Sequence, residues 1–257
     1  MEQLYQILQL PERCLVNKKI TKAFFKRNFD LTLSEKKLLE DSSSILQIDW
    51  LASLKPNQVN IESFADNQIV FEEVQIISVL INEIDFEKTK QKVIDFIQKF
   101  IPYHILLCVY TAKEFALNTC YKKVNLNDSS KRTIEKSFIT ETISLMEPTD
   151  KQQAFLTSMA FENLDKHNLK TLYESYSANI TSLKTAEFTG AFVNRPIERS
   201  KQDVLQIEEI SKLEKEIIVL QNQAIKETQL NVQVKINAEV QSRRVEIVKI
   251  KKALEIE

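Results

Sequence analysis

Asp66, Glu73 and Gln75 are the residues whose types and spacing come closest to a catalytic set. Glu73 and Gln75 alternate along a predicted strand, and Asp66 lies a few residues upstream. Metal-dependent nucleases need two or three carboxylates around Mg²⁺ on adjacent strands, usually with a lysine near the attacking water. Gln75 stands where that lysine is expected, so the set is incomplete. A divalent-metal-dependent nuclease is therefore kept as the alternative function, beside the more frequent explanation of ordinary strand charges.

A basic segment near the start of the chain is the second candidate. Residues 13 to 29 carry a formal charge of +6 with no acid, while the whole chain has −1, which leaves −7 elsewhere. Such a patch can contact phosphate groups, or it can be the solvated face of a helix. We predict a nucleic-acid-binding surface there, extended by two lysines at the end of a strand: Lys18, Lys19, Lys22, Lys26, Arg27, Lys122 and Lys123.

The glycine, histidine and cysteine content excludes several classes of site. Gly190 is the only glycine, whereas phosphate-binding loops, dinucleotide fingerprints and nucleophile elbows need several. With two histidines and no CxxC pair, a zinc site is not expected. Cys108, Cys120 and His104 could form a thiol nucleophile, but their alternating apolar context favours buried, inert cysteines. We predict neither a cofactor nor a metal.

The order of the segments predicts an α+β fold. "SILQIDWLASL", "NQIVFEEVQIISVLI" and "RTIEKSFITETISL" are rich in β-branched and aromatic residues and are predicted as strands. A helix over "DFEKTKQKVIDFIQKF" ends before Pro102, and a hairpin folds around "TAKE". We predict a mostly antiparallel sheet with helices on one face in residues 1–190.

The C-terminal part is predicted to be a long helical, coiled-coil-prone arm over residues 199–257, after a linker at 191–198. Between residues 230 and 240 apolar and polar residues alternate, which is typical of a strand, but the flanking pattern favours a helix. We expect a partner protein or a second copy of the chain on the apolar seam of this arm, although the arm could instead pack on its own domain. The seam comprises Ile210, Leu213, Ile217, Leu220, Ala224 and Val234.

Several stretches together resemble a bacterial family of proteins of unknown function. They include "LPERCLVNKKITKAFF", "IDWLASLKPNQVNI", "EEVQIISVLI", "FIPYHILLCV", "FITETISL" and "LKTLYE". The resemblance covers nearly the whole chain, and its motifs are signatures of a fold without a catalytic set. Members are typically encoded beside helicases and DNA methyltransferases in restriction-like or phage-defence gene arrays, so the resemblance implies such partners.

These observations lead us to expect a non-catalytic accessory subunit of a DNA-processing or phage-defence assembly. Its arm would bind a helicase or DNA methyltransferase, and its basic segment would contact nucleic acid or an acidic protein surface. The acidic start of the chain fits no secretory signal, and no apolar stretch is long enough to cross a membrane. A cytoplasmic protein is therefore expected.

Overall fold

The computed structural model describes residues 2–40, 44–125 and 132–255. The helices are α1 Glu2–Leu8, α2 Lys22–Asn28, α3 Leu33–Glu40, α4 Pro56–Val59, α5 Phe86–Phe100, α6 Asp150–Ser158, α7 Leu169–Thr189, α8 Ile197–Lys226 and α9 Leu230–Glu255. The strands are β1 Leu15–Lys19, β2 Ile45–Leu54, β3 Phe64–Ala65, β4 Val70–Phe71, β5 Val74–Ile81, β6 His104–Tyr110, β7 Glu114–Val124, β8 Arg132–Ile139 and β9 Ile143–Ser144.

A mixed sheet with the strand order β1-β2-β5-β6-β7-β8 forms the centre of the fold, and β9 also pairs with β7. Its neighbours are antiparallel except β5 and β6, which run parallel because α5 connects them. β3 and β4 form a separate small ribbon. The predicted α+β class and mostly antiparallel sheet are confirmed.

Helices cover both faces of the sheet, whereas we expected them on one. Ile76 packs in the same cluster as residues of α6 and α7, and the adjacent Ile77 packs with residues of α2 and α5. Since neighbouring side chains of a strand point to opposite faces, two separate cores result. β5 and β6 are apolar runs without polar alternation, which is the pattern of strands buried on both faces.

One local prediction, the cap of α2, is confirmed, and two predicted strands are each divided in the structure. Thr21 caps α2 as expected, since its hydroxyl accepts a hydrogen bond from the backbone N–H of Phe24. The expected strand over "RTIEKSFITETISL" is divided into β8 and β9 at Thr140, whose N–H and hydroxyl both bond to Leu117 of β7. "NQIVFEEVQIISVLI" is likewise divided, between β4 and β5.

Tyr173 of α7 joins β6 and β7 where their ladder ends. The last paired residues are Leu107 and Asn118, and two positions further on the strands have separated. There the Tyr173 hydroxyl accepts a hydrogen bond from the Cys120 N–H at 2.8 Å and lies 3.0 Å from the Ile105 carbonyl oxygen. The hydroxyl thus replaces a ladder bond between strands whose polar groups are buried.

The C-terminal arm is an antiparallel hairpin of α8 and α9. Gly190 ends α7 in the left-handed conformation at φ +88°, and α8 begins within the expected linker. Residues 230–240 are helical, as predicted, and the last two residues of the predicted arm lie outside the described residues. Helices of the described ranges are all too short or too polar to traverse a bilayer.

Candidate functional site

The basic segment lies at the β1 edge of the sheet. Lys18 and Lys19 are exposed at the end of β1, and α2 is anchored through Phe25 and Phe29, whose rings contact Phe96 and Phe100 of α5. Within the described ranges, Lys26 is the only cation of α2 in an ion pair, with Glu40 at 3.4 Å. Among the described residues, Lys18, Lys19, Lys22 and Arg27 have no ion-pair partner, so their charges are available to an anionic surface.

These cations do not all share one face. Lys22 and Lys26 are one turn apart on α2, as expected, but Arg27 projects about 100° round the helix from Lys26. Lys22 is half-buried beside the anchoring phenylalanines, whereas Arg27 is exposed. The cations of the segment therefore point in different directions.

Lys122 and Lys123 do not extend this surface, which corrects the sequence prediction for both. Lys122 is buried, and its ammonium donates hydrogen bonds to the carbonyl oxygens of Ile101 at 2.7 Å and Tyr103 at 2.9 Å. Burial lowers the pKa of Lys122 to about 7. Lys123 pairs with Glu135 at 2.6 Å. Strand position alone could not reveal these partners.

The three residues of the alternative nuclease interpretation do not form one site, because Asp66 has different partners from Glu73 and Gln75. The Asp66 carboxylate accepts hydrogen bonds from the backbone N–H groups of Gln68 and Ile69, and these bonds lower its pKa. Glu73 is buried, where it accepts a bond from Gln75 at 2.9 Å and lies 3.5 Å from the Lys55 ammonium. Across the described residues, no three acidic, histidine or cysteine side chains converge on a point that could hold a metal.

Cys108, Cys120 and His104 are buried structural residues. Burial raises the pKa of Cys108 to about 12 and also raises that of Cys120, so both remain thiols near neutral pH. His104 stacks on Phe71 with ring centroids 3.7 Å apart, and burial lowers its pKa to about 3. The set has no reactive thiolate, in agreement with the expectation of inert cysteines.

Most of the predicted partner-binding residues face the chain's own α9. We call this contact the inner seam: Ile207, Ile210, Leu213, Ile247 and Leu254. Ile217, Leu220 and Ala224 continue it half-buried. The break between α8 and α9 lets the arm fold back, so apolar surface that we expected to bind another protein is largely covered in cis.

A buried ion network fastens the open end of the hairpin. The Asp203 carboxylate lies between Arg195, at 3.0 Å, and Arg199, at 3.1 Å. The two guanidinium groups also donate hydrogen bonds to the carbonyl oxygens of Leu254 and Ala253 in the last turn of α9. Cations near a helix C-terminus complement its dipole, so the network holds α9 against the start of α8.

A second line of residues, the outer seam, runs along the opposite side of α9 and is apolar except for Gln241 at its centre. Its members follow one another at intervals of four, three, four and three residues, which is heptad spacing: Val234, Ala238, Gln241, Val245 and Val248. All five are exposed, Val234 by 60%. Helical geometry places this line roughly 150° round α9 from the inner seam. Val234, which we predicted to bind a partner as part of the α8 seam, is exposed and belongs to this seam instead.

Positive charge flanks the outer seam. Lys252 occupies the next position of the same spacing after Val248, and within about 100° of the line lie further exposed cations without an ion pair among the described residues: Lys235, Arg244 and Lys249. Glu239 and Glu246 lie about 120° or more away from the line, whereas Glu255, in the last turn of α9, lies about 60° from it, so the charge beside the line is mainly positive. The sequence prediction does not include this surface, because between residues 230 and 240 a strand-like alternation overlaps the heptad spacing that begins at Val234.

A family model described as "Domain of unknown function (DUF4391)" matches residues 8–247. No curated protein and no solved structure matches the chain.

Proposed function

Because the chain belongs to the DUF4391 family, whose description names no function, we propose a function from its geometry: a non-catalytic accessory subunit that binds a partner protein. The binding element is the outer seam of α9. The observation that carries the proposal is a heptad-spaced seam, apolar except for Gln241, that is exposed along a helix whose inner seam is already filled. Burial of such a seam against another helix stabilises the resulting complex.

The charges around the outer seam define the chemistry of the partner. Residues at the flanks of a coiled-coil seam contact those of the opposing helix, and opposite charges there favour pairing. Since the flanks are basic, the occupant is an amphipathic helix with acidic flanking positions. Two copies of α9 would bring like charges together, which opposes pairing of α9 with itself.

The family resemblance suggests where this partner is found. Proteins that resemble this chain are typically encoded beside helicases and DNA methyltransferases, so we propose one of these enzymes, acting in a cytoplasmic restriction-like or phage-defence assembly. The basic segment at β1 and α2 would add contacts to nucleic acid. Lys18, Lys19, Lys22 and Arg27 support this role, because no acid of the described residues neutralises them.

Co-expression of the full chain with the neighbouring helicase or DNA methyltransferase tests the proposal. We expect a stable complex in size-exclusion chromatography that weakens as salt is added, because screening reduces charge attraction between the flanks. The variant Val245→Ser, Val248→Ser should weaken the complex about tenfold or more, since each valine loses its apolar burial.

Leu205→Ser provides the matched control. Leu205 is an exposed apolar residue of α8 outside both seams, and its replacement should leave the complex intact. A complex that survives the double valine variant, or self-association through α9 in place of a complex, would overturn the assignment of the outer seam.

A further inference from the structure

A cleft of about 550 Å³ opens between the β7–β8 part of the sheet and the helices α7 and α8. Its volume lies within the roughly 300–1,000 Å³ of small-molecule sites. Apolar side chains from three elements form its walls: Phe138 of β8, Ala178 of α7, and Ile197 and Val204 of α8. The cleft lies on α8 and the sheet and shares no lining residue with the outer seam of α9.

Glu174 supplies the distinctive polar group of this cleft. Its side chain is more than nine-tenths buried yet lines the cavity. The Tyr121 hydroxyl, also in the lining, donates a hydrogen bond to Glu174 Oε1 at 2.7 Å. Burial and this contact raise the pKa of Tyr121, so its hydroxyl remains a donor near neutral pH. No cation of the described residues lies within ion-pair distance of Glu174.

The other charges of the lining are matched in pairs. Lys136 bonds to Glu208 at 2.7 Å and ties β8 to α8 at the cleft. Glu135 is paired with Lys123, and Lys201 with Glu198 outside the lining. Lys201 acts on Glu174 only through a longer-range charge interaction. Glu174 is thus the group of the lining that lacks a counterion.

We propose that this cleft binds a small organic cation, an amine or guanidinium group carried on an apolar body about the size of an aromatic ring system. Its charged nitrogen donates to Glu174, where a charge-assisted hydrogen bond supplies the missing partner. Its body packs between Phe138, Ala178 and Val204, and the faces of Tyr121 and Phe138 attract cationic groups. An anion of the same shape binds less tightly, because its charge would lie beside the buried Glu174 carboxylate, which has no ion-pair partner among the described residues.

Tryptamine and indole-3-acetate are suitable probes, since they share a ring and differ in the sign of their charge. Titration of the full chain by ligand-observed NMR should show tryptamine binding at least tenfold more tightly than indole-3-acetate. Glu174→Gln, which keeps the shape of the side chain, should weaken tryptamine binding at least tenfold. Val204→Phe, which fills the cleft without touching Glu174, should also abolish binding.

Three results would overturn the proposal: no binding of tryptamine, equal affinity for tryptamine and indole-3-acetate, or tryptamine binding unchanged in Glu174→Gln. Leu205→Ser is the matched control on α8, and thermal unfolding of each variant verifies that it is folded. Loss of partner binding in the outer-seam variant is a separate result, because Val245 and Val248 do not line this cleft.

Discussion

Tyr173 and Tyr176 lie one turn apart on α7 and differ in what their hydroxyls contact. Both side chains are fully buried. The Tyr173 hydroxyl bridges β6 and β7, whereas the Tyr176 hydroxyl has no hydrogen-bond partner among the described residues. Removing each hydroxyl in turn therefore distinguishes the contribution of the bridging hydrogen bond from the contribution of a buried tyrosine ring.

We predict that Tyr173→Phe lowers the free energy of unfolding by about 1–3 kcal/mol, because the Cys120 N–H loses its partner inside the core. Tyr176→Phe should leave stability unchanged or raise it, since it removes an unsatisfied group. Urea unfolding followed by circular dichroism measures both. Equal effects of the two substitutions would contradict the bridging role.

His104 makes the fold sensitive to acid. Its ring is buried against Phe71, and its Nε2 atom has no partner within the described part of the chain. The pKa of His104 is about 3 in the folded state, against a usual value of 6.5. As the pH falls through 6.5 the unfolded chain takes up a proton that the folded chain binds only near pH 3, so stability is lost across that window.

We therefore predict that His104→Leu reduces the loss of unfolding free energy between pH 6.5 and pH 4. The difference from the wild type should be on the order of a few kcal/mol. Urea unfolding at several pH values within this range measures it. His167→Gln controls for the loss of a histidine as such, and parallel pH profiles of wild type and His104→Leu would refute the prediction.

Within the hairpin, the Asp203 network determines whether α9 stays closed on α8. Asp203 is fully buried, and Arg195 is nearly so. A buried ion pair contributes little net stability, yet removing one partner leaves an uncompensated charge. We therefore expect replacement of one member of the network to release the last turn of α9 from the start of α8.

Asp203→Asn should lower the free energy of unfolding by about 3–5 kcal/mol and should increase hydrogen exchange in the last turns of α9. Hydrogen exchange read by mass spectrometry locates the effect. Glu198→Gln, at an exposed pair with Lys201, serves as the matched control and should change exchange little, because exposed pairs are screened. Unchanged exchange at α9 in Asp203→Asn would show that the inner seam alone closes the hairpin.

At the scale of the whole molecule, the basic segment and the α8–α9 hairpin that carries the outer seam lie at opposite edges of the sheet. The basic segment is at the β1 edge, and the hairpin contacts the β8 edge through Lys136 and Glu208. Five strand spacings separate these edges, or about 24 Å. Nucleic acid and a partner helix could therefore bind at the same time.

We predict that the protein binds duplex DNA with a salt-dependent affinity that Lys18→Glu, Lys19→Glu lowers. If both lysines contact phosphates, the slope of log affinity against log salt falls by about 2. Fluorescence anisotropy across a salt series measures this slope. Val245→Ser, Val248→Ser is the matched control and should leave DNA binding unchanged, whereas a shared loss would indicate that the surfaces are coupled.

The sequence alone determined the class of the fold and the position of most elements. Apolar periodicity marked α5 and the β6–β7 hairpin, and Thr21 marked the start of α2, because helix and strand patterns are set by local geometry. The single glycine excluded the glycine-rich phosphate sites, because those loops need backbone conformations that other residues rarely adopt.

The tertiary structure decided which of these residues remain available. Lys122 and the inner-seam residues met partners far away along the chain, and no local pattern encodes such contacts. The cleft at Glu174 likewise exists only because α7, α8 and two strands meet there. Burial and charge pairing depend on the packing of distant segments. Only the folded chain therefore shows which residues remain exposed for binding and which are used to hold the fold together.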